Sequence, residues 1–399
     1  MKHSNRFVSI LGSALIVTAM AGYACAAAGY TQTNLVTDGT DPAVTALVTD
    51  PLLVNPWGIS FFPGVTPFWV SDNNAGVTTL YDGQGVNQGL VVDIPSPTDP
   101  THGGRTGTPT GQVANLTLFT TPAFFIPPAF APAAGAALFI FATEDGTIAV
   151  WTTPPFGLLP EPDGVSPFGV TDDALIVVDN STVGAGAVYK GLALANRTVG
   201  SDANVPFLYA TNFRTGNIDV FDGTFSPATV PGGFKDPNVQ HGYAPFGIQN
   251  INNHLWVTYA LQDAAQHDPV NKPAHGFVSV FDTDGNLLSH FAQHGHLSSP
   301  WGVGLAPASF GQFANDILIG NFGDGRINAY NPANGHWLGV LSDASGKPII
   351  NPGLWSVTFS GPAGATAMGA DPDTLYITAG LTGPTHEQSG LFAKISPAP

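Results

Sequence analysis

A chain of 399 residues with 48 glycines and 35 prolines has only 10% charged residues, against roughly a quarter in an average globular protein, which excludes long helices and coiled coils. Hydrophobic residues make up 43% and include 26 Phe and 7 Trp, so the chain can bury a large core and wholesale disorder is excluded too. The net charge of −17 argues against nucleic-acid phosphates or anionic lipid as partners and favours cations.

At the N-terminus, Lys2 and Arg6 precede an apolar stretch over 7–21 and the small-residue run Ala24-Cys25-Ala26-Ala27-Ala28. This pattern predicts a signal peptide over residues 1–26 and an exported, periplasmic or extracellular domain over 27–399. The apolar stretch is short for a retained anchor, which needs roughly 18 residues or more. Gly22-Tyr23-Ala24 lacks the aliphatic residue that a lipidated cysteine requires three positions upstream. Cys25 is the only cysteine, so the mature chain is expected to have no disulfide and no thiolate metal site.

Beyond the leader, a five-residue strand pattern recurs six times. The copies are Phe68-Trp69-Val70-Ser71-Asp72, Ile140-Phe141-Ala142-Thr143-Glu144, Leu208-Tyr209-Ala210-Thr211-Asn212, Leu255-Trp256-Val257-Thr258-Tyr259, Ile317-Leu318-Ile319-Gly320-Asn321 and Leu375-Tyr376-Ile377-Thr378-Ala379. Most copies are followed by a Gly-containing turn and a second strand, as in Gly216-Asn217-Ile218-Asp219-Val220-Phe221-Asp222, which is hairpin chemistry. Most are preceded by a strand opened by an aromatic and usually a glycine: Pro56-Trp57-Gly58-Ile59, Tyr189-Lys190-Gly191-Leu192, Pro245-Phe246-Gly247-Ile248, Pro300-Trp301-Gly302-Val303 and Leu354-Trp355-Ser356-Val357. The second copy has the weaker Gly111-Gln112-Val113. A fourth strand follows several hairpins, as at Gly89-Leu90-Val91-Val92-Asp93-Ile94. Four strands repeated six times predict an all-β, six-bladed β-propeller of antiparallel blades. The last blade has only three strands, so the strand over 30–36 is expected to supply the fourth and close the ring.

The aromatic-Gly-aliphatic strand and its hairpin resemble NHL-type propeller repeats. More closely, Asn55-Pro56-Trp57-Gly58-Ile59, Ala142-Thr143-Glu144-Asp145-Gly146-Thr147-Ile148, Tyr243-Ala244-Pro245-Phe246-Gly247-Ile248-Gln249-Asn250 and Gly320-Asn321-Phe322-Gly323-Asp324-Gly325-Arg326 resemble a family of secreted bacterial propellers of unknown function. The resemblance implies a secreted propeller and no established activity. Some of its members carry a C-terminal sorting tail, which the terminal Ser396-Pro397-Ala398-Pro399 does not match.

The second strand of each blade is expected to end on the face that also carries the loops joining blades. Its last position forms a ring of Asp72, Glu144, Asn212, Tyr259, Asn321 and Ala379. Four of these carry oxygen donors, a set that suits calcium, although Asn and Asp also simply open turns. Seven histidines (His102, His241, His267, His275, His294, His296 and His386) fall in segments expected on the same face. The long loops over 260–276 and 380–390 add Asp263, Asp268 and Glu387 where the ring position is Tyr259 or Ala379. His294-Gly295-His296 is a further candidate for a transition metal, and the irregular stretch 95–111 carries Arg105 as its one positive charge.

Neither a nucleophile elbow, a P-loop nor a zinc-protease motif is present. Two functions remain. One is an exported monomeric binding or scaffold module that takes a protein, glycan or small molecule on its loop-rich face. The alternative is a calcium-dependent hydrolase resembling the six-bladed lactonases and paraoxonases.

Overall fold

The computed structural model describes Met1 and residues 29–98, 106–127, 135–152, 173–383 and 385–398. The expected leader with Cys25, together with His102 and Arg105, lies outside the described residues. Six antiparallel sheets form the blades of a propeller. Blade one comprises Pro56–Ser60, Phe68–Asp72, Val77–Tyr81 and Asn87–Asp93; blade two Pro109–Ala114, Phe139–Thr143, Thr147–Trp151 and Leu175–Asp179; blade three Tyr189–Val199, Asp202–Asn212, Asn217–Asp222 and Pro227–Ala228. Blade four comprises Tyr243–Ile251, His254–Leu261, Phe277–Phe281 and Leu287–Gln293; blade five Pro300–Leu305, Ile317–Asn321, Ile327–Tyr330 and Trp337–Val340. Blade six comprises Leu354–Phe359, Leu375–Ala379 and Leu391–Pro397, and Tyr30–Thr37 completes it from the other end of the chain. That closing strand pairs antiparallel from Tyr30↔Pro397 to Thr37↔Leu391. Val48–Thr49 adds a short parallel fifth strand beside it. No helix among the described residues is long and apolar enough to cross a membrane.

The five-residue repeat is legible in the packing. All five residues of the second strand are buried in blades one, two, five and six, because neighbouring sheets cover both of its faces. Its Ser/Thr position joins one blade to the next. Thr211 Oγ1 accepts from Gly191 N at 2.7 Å and donates to Phe246 O of the following blade at 2.9 Å. Thr258 repeats this with Gly247 N and Trp301 O, and Thr378 repeats it across the closure with Ser356 N and Trp57 O. Each buried hydroxyl thereby satisfies a strand edge that would otherwise face the channel unpaired.

The aromatic-Gly pair has an equally specific cause. The register slips at this same point in all six inner strands: Pro56/Ile59, Pro109/Gln112, Tyr189/Gly191, Pro245/Ile248, Pro300/Val303 and Leu354/Val357. This repeated bulge re-aims the residue before the glycine. At the bulge adjacent inner strands run so close that a Cβ on Gly247 would lie 2.1 Å from Trp301 O, and one on Gly302 2.4 Å from Trp355 O.

Candidate functional site

The re-aimed side chains meet across the ring. Trp57 and Trp355 stack with centroids 3.3 Å apart, Trp301 stands edge-on to Trp57 at 6.0 Å, and Phe246 from the blade opposite Trp57 packs at 6.4 Å. Contact between side chains from opposite blades fills the channel at this level. Trp57, Phe246 and Trp355 are wholly buried, with Phe213 and Phe322 in the same cluster. Trp355 Nε1 donates to Asn55 Oδ1 at 2.9 Å, and Trp301 Nε1 to Lys190 O at 3.1 Å.

In blade three the position held by Trp or Phe in four of the other blades, and by Thr110 in blade two, is Lys190. Its ammonium lies 5.2 Å from the Trp57 ring centroid and 5.8 Å from that of Phe213. It is ion-paired with Glu144 Oε1 and with Asp268 Oδ1, the latter at 3.3 Å. The second Glu144 oxygen accepts from Asn73 Nδ2 at 2.9 Å. The Lys190–Asp268 pair holds the loop over 262–276 at the channel mouth, and within that loop His267 Nδ1 bonds Asp268 Oδ1 at 2.9 Å. The loop over 380–390 arrives from the far side, with Asn74 Nδ2 donating to Glu387 O at 2.7 Å. The His386 carbonyl of this loop presses against Gly353, whose φ is +69°; a Cβ there would lie 2.2 Å from that oxygen.

The charges of this cluster perturb one another. Burial alone pulls the Lys190 ammonium down, but Glu144 and Asp268 outweigh it and hold it above its ordinary value. The hydrogen bond from His267 and the nearby Lys190 depress the Asp268 carboxyl to about 2, and the same bond raises His267. Glu387 is lifted to about 7, first by burial and then by the charge of Glu144, which Lys190 only partly offsets.

Of the sequence-derived donors, Glu144, His267, Asp268 and Glu387 enter this cluster. Ligand atoms of Glu144, His267 and Asp268 lie within 4.8 Å of one another, and the Lys190 ammonium is bonded to two of the three. The ring donors expected to converge on calcium are engaged separately. Asp72 is wholly buried inside blade one and accepts from Thr79 Oγ1 at 2.6 Å; burial raises its carboxyl well above the usual range. Asn212 bonds Asp219 and caps its own turn through Thr215 N, while Asn321 bonds His296 O and Asp324. Tyr259 and Ala379 are buried. Asp72, Asn212 and Asn321 thus each bond a neighbour in their own blade while Glu144 bonds an ammonium, and Asp72 Oδ1 and Asn321 Oδ1 are buried without a hydrogen-bond partner among the described residues.

The remaining histidines of this face are dispersed. His241 is exposed at the entry to blade four, and His275 is held by Pro273 O at 2.8 Å beside Tyr243. His294 bonds Ala274 O, whereas His296 stacks on Trp337 at 3.7 Å, so the two do not act as a chelating pair. Lys190 is the site residue that motif reading passes over. Its signal was present, since a charged residue stands in an otherwise largely aromatic column of the repeat alignment.

The open part of the channel lies at the other mouth, where the inner strands end. A cavity of 520 Å³ occupies it, walled by the second halves of all six inner strands and by the short 3₁₀ helix Leu116–Phe119. Its wall is aliphatic and aromatic with neutral amides and hydroxyls, and no Asp, Glu, His, Lys, Arg, Cys or Tyr among the described residues lines it. Gln112 stitches blades one and two on this wall, donating to Gly58 O and Trp69 O at 2.7 and 2.8 Å. Asn250 Nδ2 stitches blades three and four by donating to Leu194 O at 2.6 Å.

No family model matches the chain. It is similar to uncharacterized protein R648 of Acanthamoeba polyphaga mimivirus, 29% identical over 313 residues covering 77% of this chain and 68% of that protein. Among solved structures it is similar to the soluble aldose sugar dehydrogenase of Escherichia coli in its apo form, with 12% identity, a TM-score of 0.49 and coverage of 92% and 100% of the two chains. It is also similar to a streptogramin B lyase, with 14% identity, a TM-score of 0.37 and coverage of 92% and 98%. Uncharacterized protein L690 of the same virus is 31% identical over 325 residues, covering 78% of this chain and 74% of its own length. The chain belongs to the family of that protein.

Proposed function

We propose that this propeller is a binding module that performs no bond chemistry in its channel, and that it takes a small molecule at the open mouth. The observation that carries this reading is the 520 Å³ cavity whose described lining contains no acid, base or thiol. A volume of this order is typical of small-molecule sites, and apolar walls with a few neutral polar groups are typical of their lining. General acid–base or nucleophilic catalysis needs a titratable group within hydrogen-bond reach of the reacting atom. The opposite mouth has titratable groups, but there the aromatic layer fills the channel and Lys190 neutralises Glu144.

The test is a thermal-shift screen of the full chain against neutral small molecules, run beside a lactone and ester turnover panel with and without a chelator. The expected result is ligand-dependent stabilisation without turnover. Saturable hydrolysis of any lactone or ester, with or without metal, would overturn the reading.

A further inference from the structure

We infer that the ligand of the open mouth is a neutral amphiphile, an alkyl amide or alcohol rather than a carboxylate or phosphate, seated with its polar end inward; this rests on the channel reading above. At the throat, where the cavity narrows towards the Trp301 layer, the side chains of Gln249 and Thr358 line both the wide and the narrow parts of the channel. Gln249 stands out because it is exposed in the middle of an inner strand whose preceding residues, Ala244 to Ile248, are all buried. Gln112 and Asn250 Nδ2 are committed to stitching blades together and Asn250 Oδ1 is buried without a partner among the described residues, whereas the Gln249 amide hydrogen-bonds to no group among them and offers both a donor and an acceptor to the lumen.

The narrow end exposes mostly polar surface, whereas the wide end exposes more apolar than polar surface. Beside Thr117, Thr120 and Asn196 the outer wall carries Leu116, Leu305 and Phe359, and the rim continues in exposed Phe119, packed edge-on against Phe62 at 5.7 Å. A molecule with one hydrogen-bonding head and an apolar tail matches that gradient in one orientation. An anionic head meets no countercharge at the throat, so it loses its hydration without compensation. The net charge of −17 acts in the same sense at longer range.

The experiment uses the full chain and N-phenyl-1-naphthylamine, a neutral apolar fluorophore, displaced in turn by octanamide and by octanoate at pH 8. The probe is expected to bind saturably and to be lost in both Leu116→Asp and Thr120→Trp, two exposed positions at the mouth whose variants are checked for an unchanged melting profile. Octanamide is expected to displace it at a concentration at least tenfold below that of octanoate. Gln249→Leu is expected to retain the probe and lose the tenfold preference. Absence of saturable binding, or binding unchanged in both mouth variants, would overturn the channel reading itself. Probe binding that depends on the mouth but is displaced equally by octanamide and octanoate, or by octanamide equally in Gln249→Leu, would overturn this inference and leave the channel reading standing.

Discussion

Lys190 and Glu144 form an ion pair that solvent barely reaches, with side-chain exposures of 1% and 11%. The two residues come from adjacent blades, so the pair ties blade two to blade three directly above the aromatic layer. It places a fixed cation where the neighbouring carboxylates Asp268 and Glu387 converge.

Lys190→Met should therefore cost about 3 kcal/mol or more, because it leaves Glu144 partly buried without its partner. Adding Glu144→Gln to that variant should recover much of the loss, since the uncompensated charge is then gone. Urea unfolding of the two single variants and the double variant measures the coupling directly. Additive losses would show that the pair contributes through packing alone.

Glu387 makes stability depend on pH. Its carboxyl is held at about 7 when folded against an ordinary 4.5, so the native state binds the proton more tightly than the unfolded chain does. Stability from this group is therefore present at low pH and lost as pH rises from about 4.5 to 7, a contribution on the order of 3 kcal/mol. His267, also raised, loses its contribution over the range above 6.5. Glu387→Gln should raise the melting temperature at pH 8 and leave it nearly unchanged at pH 5. Melting curves of the parent and variant at the two pH values check this.

Closure of the ring depends on the strand Tyr30–Thr37. Tyr30 adds to it by accepting from Phe313 N and donating to Phe310 O, both at 3.0 Å. A chain beginning at residue 38 exposes the edge of Leu391–Pro397 and should melt lower by more than about 10 °C. Differential scanning calorimetry of the two lengths decides it.

Thr378→Val should cost about 1 to 3 kcal/mol, since it strands Ser356 N in a buried seam and leaves Trp57 O only the bond from Ser356 Oγ. Gly247→Ala should cost about 2 kcal/mol by steric overlap with Trp301 O. Gly346→Ala has open space around its Cβ and is the control, limited to the strain of a φ of +85°. Denaturant midpoints of the three variants rank them.

The six blades were legible because every determinant of a blade is local. Short apolar runs of β-branched and aromatic residues bounded by Gly/Asn/Asp turns repeat along the chain wherever a strand must pack on both faces. The absent fourth strand of the last blade was legible by counting. What the repeat alignment could not show was direction. Asp72, Asn212 and Asn321 occupy one column of the alignment, yet each has a partner within its own blade, because a hydroxyl, a turn amide or a carboxylate lies only a few residues away. Glu144 alone looks across, since Asn73 and Lys190 from the flanking blades reach it.

The amino-acid sequence by itself determined the number of blades, their strand order and the strand that closes them, since these follow from local pattern and turn chemistry. Only the tertiary structure decided which mouth of the channel is open. That depends on five of the six bulges aiming Trp57, Lys190, Phe246, Trp301 and Trp355 at one another from blades far apart in the chain. Large rings meeting on the axis fill one end, and the shorter aliphatic side chains of the same strands leave the other end hollow.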